Sequence, residues 1–419
     1  MPQPENDCAP ERPGRGARRT QVRLRLALWV LGLAAGAAGL PALAALRGTM
    51  TTAPPWALAL AGLLAAAWVL HPLMKMTPGM PVLVWRSVSH DPHWLPWGPE
   101  VSITPAQFDR QLTLLGRMGR FAITTREMVA VRSMGSVLRG AVVLHFDGGL
   151  LDNRLAAWPL LRHHGMRATL FVSSALVEPA SRLRPTADID PAPRWAGYLN
   201  WDELREMDAS PEWEIESQGC GRTRVEIGPR VVERLTAANW RRLAWVQWAA
   251  PRGLRPDWWR KSAPWAVPLG APVRESAPAL SAPAWDERLS RRESPESYRA
   301  RVARTLAACN ATFTRELGRQ PRIFGWPDEA TSPAARRLAA AAGYRATTGG
   351  FGRNVPSEGA SILSRVEVRK NWVGIPCRRA DDLGFVSTVR LVEGNLYWAL
   401  PIGLLALCRR LLHPLNLGP

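Results

Sequence analysis

Lysine, cysteine and histidine are scarce in this sequence, and each shortage excludes a kind of chemistry. Lysine occurs only at positions 75, 261 and 370, so arginine carries almost all of the formal net charge of +19. The five cysteines lie far apart, with neither a Cys-x-x-Cys metal pair nor a disulfide framework. None of the seven histidines lies between positions 165 and 412. That long stretch therefore supplies no imidazole as a metal ligand or general base.

The excess of arginine is consistent with three classes of partner, namely nucleic acid, anionic lipid and acidic polymers. The arginines are scattered and no recognisable nucleic-acid-binding module accompanies them, so we expect no nucleic-acid partner. A length of 419 residues and a hydrophobic content of 47% favour one membrane-attached domain of barrel size over several small domains.

Two apolar runs near the N-terminus predict attachment to a bilayer. Residues 1–25 are rich in Pro, Gly and Arg and are predicted to be disordered. Residues 26–75 contain an uncharged run long enough to cross a bilayer and a second apolar run, which together predict a transmembrane helical hairpin. A cleaved signal peptide is the alternative, because Ala42-Leu43-Ala44 resembles a small-residue cleavage site.

The most informative stretch is residues 139–172. Ala141 to Phe146 has the pattern of a buried parallel strand, and it is followed by Asp147 in an acidic-glycine turn, a helix and a second buried strand. In α/β barrels the loops at the carboxyl ends of strands carry the chemistry, so Asp147 is a candidate catalytic group. The competing interpretation is an ordinary turn residue, since Asp before Gly is common in turns.

Further along the chain, strand and helix signals alternate, which predicts parallel strands with covering helices. Helix starts are predicted at Thr104, Asn200 and Ser332, and a long helix over residues 294–317. Residues 251–285, dense in Pro, Ala, Arg and Trp, predict a long inserted loop. Its tryptophans either offer flat apolar faces to sugar rings or pack the loop onto the barrel or the bilayer; they are Trp258, Trp259 and Trp265.

Residues 371–419 form a C-terminal tail. Within it, residues 396–411 are apolar but too short to span a membrane, so they predict an interfacial helix.

The region 80–370 resembles the NodB-homology domain of polysaccharide deacetylases (carbohydrate esterase family 4). His145-Phe146-Asp147-Gly148-Gly149 is similar to the first family motif, Thr-Phe-Asp-Asp-Gly. Segments 81–89, 101–118, 199–217 and 322–327 resemble other family segments in the right order. The resemblance implies an α/β fold, a distorted (β/α) barrel preceded here by the transmembrane hairpin.

The resemblance also implies a chemistry, and the sequence departs from it. In the family an Asp acts as base on a metal-bound water, while a second Asp and two His hold a divalent metal such as zinc. Asp147 matches the base, but Gly148 replaces the second Asp, and Gln218 and Arg222 replace the two His. An amide and a permanently charged guanidinium do not substitute for imidazole ligands, so no metal cofactor is predicted.

Other family positions are expected to line the pocket, namely His145, Trp326, Pro327 and Arg365. For His145 a place inside the barrel is the alternative. Arg222 is expected to fill the vacated metal volume and pair with Asp147, which would exchange a divalent cation for a guanidinium.

We therefore predict a membrane-anchored, polysaccharide-deacetylase-like protein of bacterial glycan or exopolysaccharide metabolism. Its metal-dependent hydrolysis is predicted to be lost or much reduced, which leaves a glycan-binding or scaffold role. The alternatives are an active carbohydrate N- or O-deacetylase with an atypical site around Asp147, and a lipid- or polyanion-binding protein led by its arginines. The expected partners are a carbohydrate polymer or oligosaccharide, the lipid bilayer, and other glycan-synthesis or export proteins.

The predicted location is the bacterial inner membrane, but two arguments disagree about the side. More arginines precede the first span than lie between the two, so the positive-inside rule and the even number of spans favour a cytoplasmic barrel. Family analogy favours the periplasm.

Overall fold

The computed structural model describes residues 6–8, 15–46, 54–91, 93–95, 101–186, 195–249 and 266–412. The chain divides into two compact units. The first consists of Met1–Arg12 and Met80–Val368, and the second of Pro13–Gly79 and Arg369–Pro419.

The secondary structure of both units follows, in chain order. The strands are β1 Val82–Trp85, β2 Ser87–Val88, β3 Ser102–Ile103, β4 Phe121–Ile123, β5 Ala141–Gly148, β6 Ala168–Val172, β7 Trp213–Ser217, β8 Arg224–Arg234, β9 Pro272–Pro278, β10 Trp285–Asp286, β11 Arg291–Arg292, β12 Ile323–Phe324, β13 Ala346–Gly350, β14 Ile362–Ser364 and β15 Val366–Glu367. The α-helices are α1 Arg15–Leu46, α2 Pro55–Leu70, α3 Pro105–Arg117, α4 Thr125–Ser133, α5 Trp158–His163, α6 Trp201–Asp208, α7 Trp245–Ala249, α8 Pro295–Leu317, α9 Pro333–Ala341, α10 Arg378–Val392 and α11 Ala399–Leu412.

One parallel sheet forms the centre of the first unit. Its order is β14–β13–β12–β7–β6–β5–β1–β15, with β4 beside β5. The two ends of this path, β14 and β15, are separated in the chain by Arg365 alone. The sheet must therefore curl back on itself, and it forms a nearly closed barrel in which helices α4, α5, α6, α8 and α9 connect successive strands of this sheet from β4 to β13. The predicted (β/α) barrel is confirmed.

Local sequence fixes where several of the covering helices begin. The Thr104 hydroxyl accepts a hydrogen bond from the backbone N–H of Gln107 at 3.2 Å. The Asn200 amide oxygen accepts one from Glu203 at 2.9 Å, and the Glu203 carboxylate accepts the Asn200 N–H in return at 3.0 Å. Such caps satisfy backbone donors that the first turn of a helix leaves unpaired. These helix starts were predicted and are confirmed, as is the long helix α8.

The predicted loop over residues 251–285 is wrong in part. Pro272–Pro278 forms β9, which pairs antiparallel with β8 as a two-stranded hairpin. The strand was missed because its hydrogen-bonding partner lies far away in sequence and prolines stand at both of its ends. Residues 250–265, which include the three tryptophans named above, lie outside the described residues.

A short N-terminal segment also belongs to the first unit. Asn6–Cys8 forms a turn of 3-10 helix, and the Cys8 side chain is only 1% exposed. Cys8 packs in a core cluster with Tyr298, Leu306 and Tyr344, and Asp7 forms an ion pair with Arg337. The predicted disorder of residues 1–25 is therefore wrong for this segment.

The second unit contains two apolar helices that are long enough to cross a membrane by length and composition, over Val22–Ala45 and Pro55–Met74. Helix α1 begins at Arg15 rather than near residue 26, because arginine is a good helix former and continues the helix beyond its apolar part. A Cβ atom built on Gly36 would lie 2.5 Å from the carbonyl oxygen of Gly62. The two backbones are therefore in direct contact, as small residues permit at membrane helix interfaces.

The C-terminal tail is helical over most of its described length. Helix α10 was not predicted, since its apolar residues, including Phe385 and Val389, are interrupted by charges and a glycine. Helix α11 covers most of the segment predicted to be an interfacial helix. Its leucines at 400, 404, 407 and 411 are all exposed at helical spacing on one face. Contact of this face with lipid stays a prediction.

Candidate functional site

A cleft opens where the parallel strands of the barrel end. Asp147 lies at the end of β5, Arg86 follows β1, Arg222 follows β7 and Asp328 follows β12. Because these strands are parallel, the loops after them meet at one end of the barrel. The cleft has a volume of about 240 Å³. It is lined by Arg86, Leu95, Val101, Asp147, Gly148, Leu150, Leu176, Tyr198, Arg222, Arg224, Arg242, Trp245 and Asp328.

Asp147 forms a two-armed ion pair with Arg365 behind the cleft wall. Nη1 and Nη2 of Arg365 donate to the two carboxylate oxygens at 2.8 and 3.0 Å. Both side chains are buried, at 7% and 3% exposure. Nε of Arg365 also donates to Glu329 at 2.5 Å. Burial alone would raise the pKa of Asp147, but the charge and hydrogen bonds of Arg365 outweigh it and hold this pKa below its ordinary value.

The predicted pairing of Asp147 with Arg222 is wrong. Nη2 of Arg222 instead donates to Asp328 at 3.0 Å. The partner of Asp147 is Arg365, 218 residues further along the chain, because closure of the barrel brings the link between β14 and β15 against the end of β5.

The family positions for a divalent metal do not supply a ligand set. Gly148 has no side chain and lies in the left-handed region, at φ +111°. The Gln218 amide is fully buried, and neither its nitrogen nor its oxygen has a hydrogen-bond partner. Arg222 is a cation, which repels another cation. Among the described residues no group of three His, Cys, Asp or Glu side chains converges as a metal site. The residues present therefore do not fit a divalent metal.

All four residues that were predicted to line the pocket lie outside the lining of the cleft. His145 is fully buried in the barrel, where Nε2 lies 2.8 Å from the Thr125 hydroxyl and burial lowers its pKa well below the ordinary value. It is the interior histidine of the alternative prediction. Trp326 packs against Phe324, with ring centroids 4.6 Å apart, and Pro327 is buried beside it. Of the four, only Arg365 acts on the site, through Asp147.

Some features of the cleft were not predicted. Positive backbone φ angles are the strongest indication that these residues belong to a functional site. Asp328 receives hydrogen bonds from both Arg222 and Arg224, at 3.0 and 2.9 Å. Arg222, Asp328 and Glu329 all adopt positive φ angles, between 50° and 57°. Such angles are costly for residues other than glycine and tend to cluster at functional sites. The departure from the family pattern at Asp328-Glu329 was visible in the sequence, but its role was not.

Comparison with known proteins identifies the family of the barrel. The sequence model of the family described as polysaccharide deacetylase matches residues 135–347. The chain belongs to the polysaccharide deacetylase family. No curated protein is detectably similar to it.

Several solved structures of deacetylases are similar to this chain. A de-N-acetylase from Aggregatibacter actinomycetemcomitans shares 21% identity over 68% of this chain and 94% of its own, with a TM-score of 0.48. The BpsB deacetylase domain from Bordetella bronchiseptica shares 16% identity over 70% and 97%, with a TM-score of 0.48. IcaB from Ammonifex degensii shares 15% over 75% and 97%, with a TM-score of 0.46.

Proposed function

We propose that this member of the polysaccharide deacetylase family is a membrane-anchored glycan-binding protein whose metal-dependent hydrolysis has been lost or much reduced. The ion pair between Asp147 and Arg365 is the main support. A general base is most effective when its pKa lies near the working pH. Both oxygens of Asp147 accept hydrogen bonds from Arg365, and its pKa is lowered.

The missing ligands support the same proposal. Hydrolysis in this family depends on a metal to activate water and to polarise the carbonyl group. Gly148, Gln218 and Arg222 supply no carboxylate or imidazole for that purpose. A replacement would have to provide both effects at once.

The side chains that line the cleft are of the kinds that bind sugars. Apolar side chains such as Leu95 and Leu176 lie beside the aromatic rings of Tyr198 and Trp245, while charged groups line the same space. Apolar ring faces combined with a few polar groups are typical of ligand sites. A scaffold within a glycan-synthesis or export assembly would use the same cleft.

An assay of the full-length protein in detergent micelles tests this proposal. We expect no stoichiometric zinc by elemental analysis and no acetate release from an N-acetylglucosamine oligomer above background. Asp147→Asn should leave both readings unchanged. Bound zinc, together with acetate release abolished by Asp147→Asn, would establish the active deacetylase instead.

Restoring the family ligands tests how far the site has changed. Gly148→Asp, Gln218→His and Arg222→His together should still fail to bind zinc, because φ +111° at position 148 strains any side chain there and works against placing the restored carboxylate. A Cβ on Gly148 would meet only Leu150, at 3.9 Å, so the backbone conformation and not lack of space is the obstacle. Stoichiometric zinc in this triple variant would show that loss of the three ligands alone accounts for the missing metal.

For the side of the membrane, we propose a cytoplasmic barrel. The arginines ahead of the first apolar helix and the even number of candidate spans support this placement. A C-terminal fusion to alkaline phosphatase should be inactive and a fusion to a fluorescent protein should be bright. The opposite pair of results would place the barrel in the periplasm.

A further inference from the structure

Two arginines of the cleft have almost no hydrogen-bond partners. Arg222 donates from Nη2 to Asp328, whereas Arg86 reaches only Glu367, 3.8 Å from its Nε, which is too long for a hydrogen bond. Neither guanidinium makes any other hydrogen bond to the part of the chain that the structure describes. A guanidinium has five N–H donors. Most donors of these two side chains are therefore free for a ligand.

The limited exposure of both arginines makes these free donors notable. Arg222 is 19% exposed and Arg86 is 29% exposed, so neither is a freely solvated surface side chain. The other two arginines of the cleft differ from them. Arg224 donates to Asp328 and to both the hydroxyl and the carbonyl oxygen of Ser276, and Arg242, which pairs with Glu233, is 65% exposed and is therefore solvated by water.

The carboxylates of the cleft do not cancel this positive charge. Asp147 is neutralised by Arg365, and Asp328 shares its charge between Arg222 and Arg224. Glu367, the acidic group beside Arg86, is 66% exposed and is screened by water. Burial would raise the pKa of Asp328, but Arg222, Arg224 and Arg86 lower it, which shows that all three act on the same space.

We propose that the cleft binds a sugar residue that carries a carboxylate, held by Arg86 and Arg222. This inference rests on the proposed glycan-binding function and names its substrate class. A carboxylate accepts paired N–H donors from a guanidinium in a geometry that a neutral hydroxyl does not match. The ring of the sugar packs against Trp245 and Tyr198. A volume of about 240 Å³ is small for a ligand site, so the cleft takes a single residue of the glycan.

Calorimetric titration of the full-length protein in micelles tests the substrate class. The probes are an oligogalacturonate, a neutral galactose oligomer of the same length and a sulfated one. We expect the oligogalacturonate to bind at least ~10-fold more tightly than the neutral oligomer, with an affinity that falls as salt rises.

Variants locate the binding site. Arg222→Gln and Arg86→Gln should each weaken oligogalacturonate binding about 10-fold, the effect of losing charge-assisted hydrogen bonds. Arg222→Lys keeps the charge and should lose less. Arg230→Gln removes the same charge from a side chain that is 72% exposed and lies outside the cleft lining, so it should change nothing. Thermal unfolding of each variant checks that the barrel still folds.

The outcomes separate this inference from the proposal on which it rests. Equal binding of acidic and neutral oligomers, or acidic binding that neither arginine variant weakens, overturns the carboxylate site but leaves glycan binding intact. Tighter binding of the sulfated oligomer overturns the carboxylate in favour of a general anion site. Failure of all three oligomers to bind overturns this inference, while zinc-dependent acetate release overturns the proposed loss of hydrolysis.

Discussion

Two buried carboxylates in the same sheet, Asp147 on β5 and Glu214 on β7, meet their arginines in different ways. Asp147 has both oxygens bonded to Arg365. Glu214 lies 3.6 Å from Nε of Arg126, which instead donates to Glu216 at 2.9 and 2.6 Å. Burial and the charge of Glu216 raise the pKa of Glu214 to about 7, whereas the pKa of Asp147 is lowered.

The difference shows that burial alone does not decide the state of a carboxyl group. A carboxylate with its own guanidinium stays ionised and is a weak base, while one that shares a guanidinium with a second carboxylate holds a proton more tightly. A catalytic base is most effective with a pKa near the working pH, which the lowered pKa of Asp147 does not provide. Asp147 has the ion-paired state, which is the main support for the proposed loss of hydrolysis.

Removing Arg365 should have the largest effect. Arg365→Met leaves Asp147 buried without a partner, and we expect the free energy of unfolding to fall by about 3–5 kcal/mol. Denaturant unfolding in micelles measures the change. Arg230→Met, at an exposed ion pair, is the control and should stay within about 1 kcal/mol. A similarly small loss for Arg365→Met would mean that the buried ion pair does not form.

The raised pKa of Glu214 predicts a pH dependence of stability. A folded-state pKa above the ordinary value of 4.5 means that the folded protein binds the extra proton. The stability that protonation of Glu214 contributes is therefore fully present below pH 4.5, and it is lost as pH rises through about 7. The loss should be on the order of 1–3 kcal/mol.

Glu214→Gln tests this dependence, because an amide does not titrate. The variant should show a flatter decline in the free energy of unfolding over that pH window than the native chain. Asp152→Asn should remove a separate part of the pH dependence of stability, since burial raises the pKa of Asp152 to about 7 as well. Identical pH profiles for all three proteins would refute the protonated state of both carboxyls.

Replacing Gln218, whose buried amide has no hydrogen-bond partner, should have a smaller effect on stability. It should stabilise the fold, whereas loss of Arg365 destabilises it. Gln218→Met removes two buried polar atoms without partners, so the free energy of unfolding should rise by roughly 1 kcal/mol. Gln247→Met is a matched control, since Gln247 is equally buried but accepts a hydrogen bond from Ala266 at 2.9 Å. The control should be destabilised. A loss of stability in Gln218→Met would show that its amide is paired after all.

The position of the loop after β7, which contains Cys220, can be tested without any substitution. The sulfur atoms of Cys220 and Cys309 lie 2.8 Å apart, although the spacing of the cysteines along the chain indicated no disulfide framework. Oxidised glutathione should join them by exchange, with their electron pair passing to glutathione, which leaves as two thiols. Peptide mapping by mass spectrometry should find this disulfide, with Cys8 still a thiol. Two free thiols after oxidation would contradict the observed proximity.

Prediction from sequence succeeded where the signal is local. The strand ending at Asp147, the caps at Thr104 and Asn200 and the long helix α8 all depend on residues within a few positions of one another. The missing ligands at Gly148 and Gln218 were also visible without a structure. Propensity and spacing are sufficient for such features.

The partner of Asp147 was beyond the reach of the sequence, although Arg365 itself was predicted to lie in the pocket. No local pattern links residues 218 positions apart, and their contact is set by closure of the barrel. The hairpin of β8 and β9 and the buried position of Cys8 were missed for the same reason. Each depends on a segment far away in the chain.

The packing of Cys8 among Tyr298, Leu306 and Tyr344 limits the ways in which the chain can cross a membrane. Residues 6–8, ahead of the first apolar helix, and residues 80–368, after the second, belong to the same compact unit, so an odd number of membrane crossings between them would separate parts that pack together. Cleavage after Ala44 would remove Cys8 from this core cluster. If both apolar helices cross a membrane, residues 6–8 and the cleft lie on the same side of it.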